Sequence, residues 1–134
     1  MGDSLVVHAR LGNFANFCSD KAKECYHSWH ALEPKIEKQR RELGVQYVFI
    51  ITNEDVPSEI MKRNSERWFL VRDIIRRSPI KIEPMDENME VALEMASGVL
   101  ATYFMRNRFS TLSGNISVLR SRHDKLPNTT IMTI

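Results

Sequence analysis

The 134-residue sequence is short of the features that mark most specialised classes. No apolar run approaches the roughly 20 residues of a membrane-spanning helix. Neither sign of charge dominates: the formal net charge is +2, without the dense basic face of a nucleic-acid binder, so nucleic acid is not an expected partner. Neither G-x-G-x-x-G nor G-x-x-x-x-G-K-[S/T] occurs, which disfavours the two familiar glycine-rich routes to a nucleotide. Internal repeats and low-complexity segments are missing. Only two cysteines occur, Cys18 and Cys25, and they settle no redox compartment. No secretory signal heads the chain, since Met1-Gly2-Asp3 starts acidic and runs straight into a strand-like segment. That abrupt start carries the expectation that more protein precedes it.

What is present is ordinary globular composition: 43% hydrophobic and 27% charged residues, in a chain long enough to bury a core as one domain. Ser4 to Arg10 reads as a buried parallel strand, followed by a turn at Leu11-Gly12-Asn13-Phe14. Phe14 to Trp29 is irregular. Ala31 to Leu43 predicts a helix with Leu32, Ile36 and Leu43 inward and the charged run Glu37 to Glu42 solvated. Gly44 ends it, and Val45 to Thr52 is the clearest central strand. Pro57 opens a short helix over Ser58 to Arg67. Trp68 to Val71 reads as a third strand, and Arg72 to Pro84 stays open between short strands and a packed loop.

Asp86 caps a helix from Glu87 to about Ser97. Met89, Leu93 and Ala96 are expected in its core, Glu87, Glu90 and Glu94 outside, and Gly98 at its end. Leu100 to Met105 predicts a fourth strand. Ser110 and Thr111 open a last helix marked by Leu112, Ile116 and Leu119, and Asn128 to Ile134 a final edge strand. Strands separated by helices imply parallel pairing through right-handed crossovers. The expected fold is α/β: a Rossmann-like, open, mostly parallel sheet of four to five strands with helices on both faces.

Chemistry-bearing residues collect at two turns. In open α/β sheets, ligands sit beyond the carboxyl ends of the strands, at the point where strand order reverses. If the first strand is central, the strand from Leu100 packs beside it, and the turns at Arg10 to Asn13 and Asn107 to Thr111 face one crevice. Arg10 offers a planar fork suited to a diphosphate, and Gly12 allows close backbone approach. Ser110 and Thr111 offer hydroxyls at a helix N-terminus whose free amides and dipole suit a phosphate, with Arg106 and Arg108 adding charge. Ser and Thr are also ordinary helix caps, and a lone His such as His8 is more often a hydrogen-bonded core residue than a ligand. Cys18 and Cys25 allow a local disulfide, two free thiols or, with His27 and His30, a metal site whose spacing matches none of the common zinc patterns.

Two motifs resemble the C-terminal half of the protein O-fucosyltransferases and their fungal relatives, GT-B glycosyltransferases that use GDP-fucose. The first is His8-Ala9-Arg10-Leu11-Gly12-Asn13-Phe14, similar to H-x-R-x-G-[D/S]-[F/D], with Cys18 and Cys25 placed as in fungal members. The second is Tyr103-Phe104-x-x-Asn107-x-Phe109-Ser110-Thr111-Leu112-Ser113, ending at Arg120. Thr52-Asn53-Glu54 sits where the family often carries T-[D/N]-E. The resemblance implies that Arg10 binds the β-phosphate and stabilises the departing GDP. It implies that Ser110, Thr111 and the Leu112 amide bind phosphate oxygens, with His8, Gly12 and Asn107 around the nucleotide. It further implies an inverting, metal-independent transfer of fucose from GDP-fucose to a protein or glycan acceptor, no cofactor, an ER or Golgi setting, and a missing N-terminal acceptor half. Leu11, Asn13 and Arg106 depart from the pattern and motivate a second expectation, an α/β interaction domain without nucleotide.

Overall fold

A computed structural model describes residues 4–9, 28–79, 86–107, 110–123 and 129–132. Five parallel strands form one sheet in the order β3-β2-β1-β4-β5. They are β1 (Ser4–His8), β2 (Tyr47–Ile51), β3 (Trp68–Leu70), β4 (Tyr103–Arg106) and β5 (Thr130–Met132). The order reverses between β1 and β4, so β1 is central and β4 its neighbour, which meets the condition on which the two turns share one crevice. Leu5 pairs with Val48 on one side and with Tyr103 on the other.

Alternation along the strands divides the core in two. Leu5, Val7, Val48 and Ile50 face α1 (Trp29–Leu43) and α2 (Ser58–Arg63), packing on Trp29, Leu32, Ile36 and Ile60. Val6, Ile51 and Phe104 face the other way, onto Val71 of α3 (Val71–Arg77), Val99 of α4 (Glu87–Leu100) and Ile116 of α5 (Thr111–Arg122). A β1 buried on both faces explains its unbroken apolar run.

The helix ends follow local chemistry. The Ser28 side chain accepts from the Ala31 amide, so α1 starts at Trp29, two residues earlier than its apolar spacing suggests, and carries Pro34 inside. Gly44 ends it in the left-handed region at φ 68°, where a side chain would be strained. Asn64 stops α2 at Arg63 by donating its side-chain amide to the Ile60 carbonyl and to Glu33. Asp86 caps α4 through the Met89 amide, as expected.

Several expectations are corrected. Residues 71–77 are a helix, not strand and loop. Gly98 does not end α4, which runs on to Leu100; that residue is 65% exposed and strand β4 starts at Tyr103. The reason is that Gly98 is a packing glycine: a Cβ there would stand 3.0 Å from Ile116 Cγ2 and 3.3 Å from Phe104 Cε1. α4 turns Met95, Gly98 and Val99 to the core, leaving Ala96 exposed and Glu90 and Glu94 half-buried, because its flank also packs on α3. The charged run of α1 is not wholly solvated. Glu37 is buried and accepts from Arg40 Nε (2.8 Å), Arg67 Nε (3.1 Å) and Trp68 Nε1 (3.1 Å). Burial pushes its carboxyl up, yet hydrogen bonds from Arg40 and Trp68 and the charges of Arg40 and Arg67 outweigh that and hold it below the usual range.

Candidate functional site

His8 ends β1, on the same strand face as Val6, and so points toward the α4 and α5 layer. There its Nδ1 meets the Ser113 hydroxyl at 2.5 Å, across 105 residues of sequence. Ser113 is fully buried, and its oxygen also accepts from the Asn107 amide at 3.0 Å. The Ser113 hydroxyl thus ties the end of β1 to the turn after β4.

The turn that delivers Ser113 is built from its own polar groups. The Ser110 amide donates to the Asn107 carbonyl at 3.3 Å. Ser110 caps α5: its side chain accepts from the Ser113 amide at 3.4 Å and its carbonyl from the Gly114 amide at 3.0 Å. Asn107 and Ser110 are both buried. The first amides of α5, at Thr111 and Leu112, have no acceptor within the helix, as at any helix start, and the positive end of the helix dipole lies there. Arg106, the last residue of β4, passes beside the same turn; a Cβ on Gly114 would lie 3.8 Å from its Nη2.

Of the residues singled out from sequence, the structure brings His8, Asn107, Ser110 and the backbone of Thr111 and Leu112 to one place, beyond the carboxyl ends of adjacent strands β1 and β4. Arg10, Gly12, Arg108, Cys18, Cys25 and His27 lie outside the described residues. His30 is exposed at the start of α1, 3.5 Å from Glu59. Among the described residues, no group of three metal-ligating side chains converges and no helix is long and apolar enough to cross a membrane. Ser113 went without a role in the sequence reading. Its signal was faint: three residues after the Ser110 cap it takes the place of the Glu or Gln of a capping box.

Arg120 closes the second motif, but its place is structural. It is 1% exposed. Its Nη1 donates to the carbonyls of Gly98 (2.9 Å) and Ala101 (2.7 Å), its Nη2 to those of Thr102 (3.1 Å) and Thr129 (3.3 Å), and its Nε to Thr130 Oγ1 (3.0 Å). A cation at the carbonyl end of α4 complements that helix's dipole while tying α4, β4 and β5 together. Burial alone lowers its pKa from the ordinary arginine value.

No family model matches the chain, and no curated protein matches it. Solved structures do. The crystal structure of POFUT1, a protein O-fucosyltransferase, in complex with GDP matches with a TM-score of 0.68 and 14% identity, over 99% of this chain. POFUT1 in complex with GDP-fucose matches at 0.67 and 14% over 98%, and its apo form at 0.62 and 14% over 98%. The chain spans 41–43% of the length of these structures. At this identity the likeness establishes the fold, a Rossmann-like α/β domain of the kind found in these GT-B proteins, and a distant structural relationship.

Proposed function

We propose that this chain binds a nucleoside-diphosphate sugar, GDP-fucose, where β1 and β4 end, and forms the donor-binding half of a fucosyltransferase-like glycosyltransferase. The observation that carries the reading is the His8–Ser113 hydrogen bond, which locks the end of β1 onto the first turn of α5 where strand order reverses. Two things support a diphosphate there. The helix start presents amides and a positive dipole end. Arg10, two residues beyond His8, adds a guanidinium that can bridge two phosphate oxygens. Two of the matched solved structures are complexes, one with GDP and one with GDP-fucose.

In this reading Arg10 and the α5 amides neutralise charge as GDP departs, which is electrostatic catalysis at a leaving group and asks for no metal. Ser110 and Thr111 contact phosphate oxygens, Gly12 lets the ligand close on the backbone, and Asn107 shapes the turn. Transfer to a protein or glycan hydroxyl, with inversion, requires acceptor-binding surface beyond this chain, and the fungal branch of the family is the suggested kinship through Cys18 and Cys25.

Titration calorimetry with GDP and GDP-fucose tests the proposal. Saturable binding is expected, weakened at least about tenfold in Arg10→Ala, which is the loss of one charge-assisted pair. No heat at millimolar ligand, or unchanged affinity in that variant, refutes it and leaves the α/β interaction domain.

A further inference from the structure

A second cleft opens at the same edge of the sheet, between α3 and α4. Its volume is roughly 200 Å³, and Thr52, Asn53, Arg72, Glu90, Val91 and Glu94 lie on its walls. It is one strand away from the His8 turn: the Ala9 amide donates to the Ile51 carbonyl at 2.9 Å, and Thr52 follows directly.

The walls are held in place. Arg72 donates to the carbonyls of Thr52 (3.2 Å) and Glu54 (3.0 Å), which fixes the loop after β2 over the cleft. Arg76, also on the wall, donates to Glu90 at 2.9 Å, joining α3 to α4. Glu94 differs from both. It is half-buried and its carboxylate accepts no hydrogen bond among the described residues, although the charges of Arg72 and Arg76 reach it. Burial first, and Glu90 second, raise its pKa. A carboxyl in this state is an acceptor short of donors.

Charge and size narrow what fits. Three glutamates on the wall, Glu87, Glu90 and Glu94, oppose an anion, and Arg72 and Arg76 oppose a cation. A hydroxyl suits both, because it can donate to Glu94 while accepting from the Asn53 amide or a guanidinium. Val91, 42% exposed, gives the cleft an apolar wall for C–H groups. Drug-sized ligands occupy pockets of about 300–1,000 Å³, so this volume suits one ring rather than two. We propose that the cleft between α3 and α4 is a binding site for a neutral, polyhydroxylated ring, a single pyranose unit, gripped by Glu94 and Asn53 against Val91. This site stands on its own lining and does not depend on nucleotide binding at the His8 turn.

The test uses three neutral probes, the methyl glycosides of β-glucopyranose, β-galactopyranose and α-mannopyranose, with the full chain in amide-resolved and saturation-transfer NMR. At least one probe should bind with a dissociation constant on the order of 1 mM, the range expected for a ligand of this size. It should move the amides of Thr52, Asn53, Val91 and Glu94. Val91→Arg, a surface change that fills the cleft, should weaken binding about tenfold while leaving the melting temperature and the GDP titration as in the parent chain. Glu94→Ala should do the same and provides a second variant should the first fold poorly. Absence of saturation transfer with all three probes, unchanged affinity in both variants, or larger shifts of these amides by inorganic phosphate than by any pyranoside would overturn the proposal.

Discussion

Replacing Arg120 with methionine separates a fold-holding arginine from a ligand-holding one. The side chains have similar reach, so the change leaves little cavity and removes chiefly the guanidinium. Lost with it are donors to the carbonyls of Gly98, Ala101, Thr102 and Thr129 and to the hydroxyls of Thr129 and Thr130. Hydrogen bonds to a charged group contribute about 1.5–3 kcal/mol each, but the cost of burying the cation is regained on its removal. With several carbonyls left without donors, the balance is a loss of about 3–5 kcal/mol. A domain of this size holds about 5–15 kcal/mol in all, so the variant should be marginal. Urea unfolding, followed by Trp29 and Trp68 fluorescence and by far-UV circular dichroism, measures it. Arg120→Lys keeps the charge but not the fork and should fall about halfway. Where it folds, it should bind GDP like the parent chain. Methionine stability within 1 kcal/mol of the parent, or a lysine variant of full stability that has lost GDP, would refute the structural assignment.

Three further outcomes are expected. Ser113→Ala strips His8 Nδ1 and the Asn107 amide of a buried partner and should cost about 2–3 kcal/mol by urea titration; in a cycle with His8→Phe the two losses should fail to add by at least about 0.5 kcal/mol. Glu37 contributes stability above its unfolded-state pKa of 4.5 because its folded pKa is depressed; that contribution should fade as pH falls below 4.5 through the folded value, and Glu37→Gln should flatten the acid limb of a stability-against-pH curve. Gly98→Ala should destabilise by about 1 kcal/mol, since overpacking against Ile116 and Phe104 costs about 1–3 kcal/mol and helix propensity returns about 1 kcal/mol; a gain in melting temperature would show that Ile116 gives way freely.

The sequence alone determined the alternation of strands and helices, because the apolar runs at Leu5–Val7, Val48–Ile51 and Phe104–Met105 and the caps at Gly44 and Asp86 are local signals. It placed β1 beside β4 only on the condition that β1 is central, and the sheet order supplied that condition. Segments whose local signals conflict were not legible. Val71–Arg77 has the β-branched content of a strand yet folds as a helix, and Gly98 has the look of a terminator yet lies inside α4. Their state is set by what packs against them, Ile116 and Phe104 in one case and the α4 flank in the other. The same holds for charge. Glu37 and Glu94 read as surface residues and Arg120 only as the end of a motif, and only the approach of Trp68, of α3 and of the Gly98–Thr102 carbonyls decided that one anchors the core, one lies half-buried in a cleft and one clamps three elements together. A long side chain's partners come from distant sequence, so no local pattern records them.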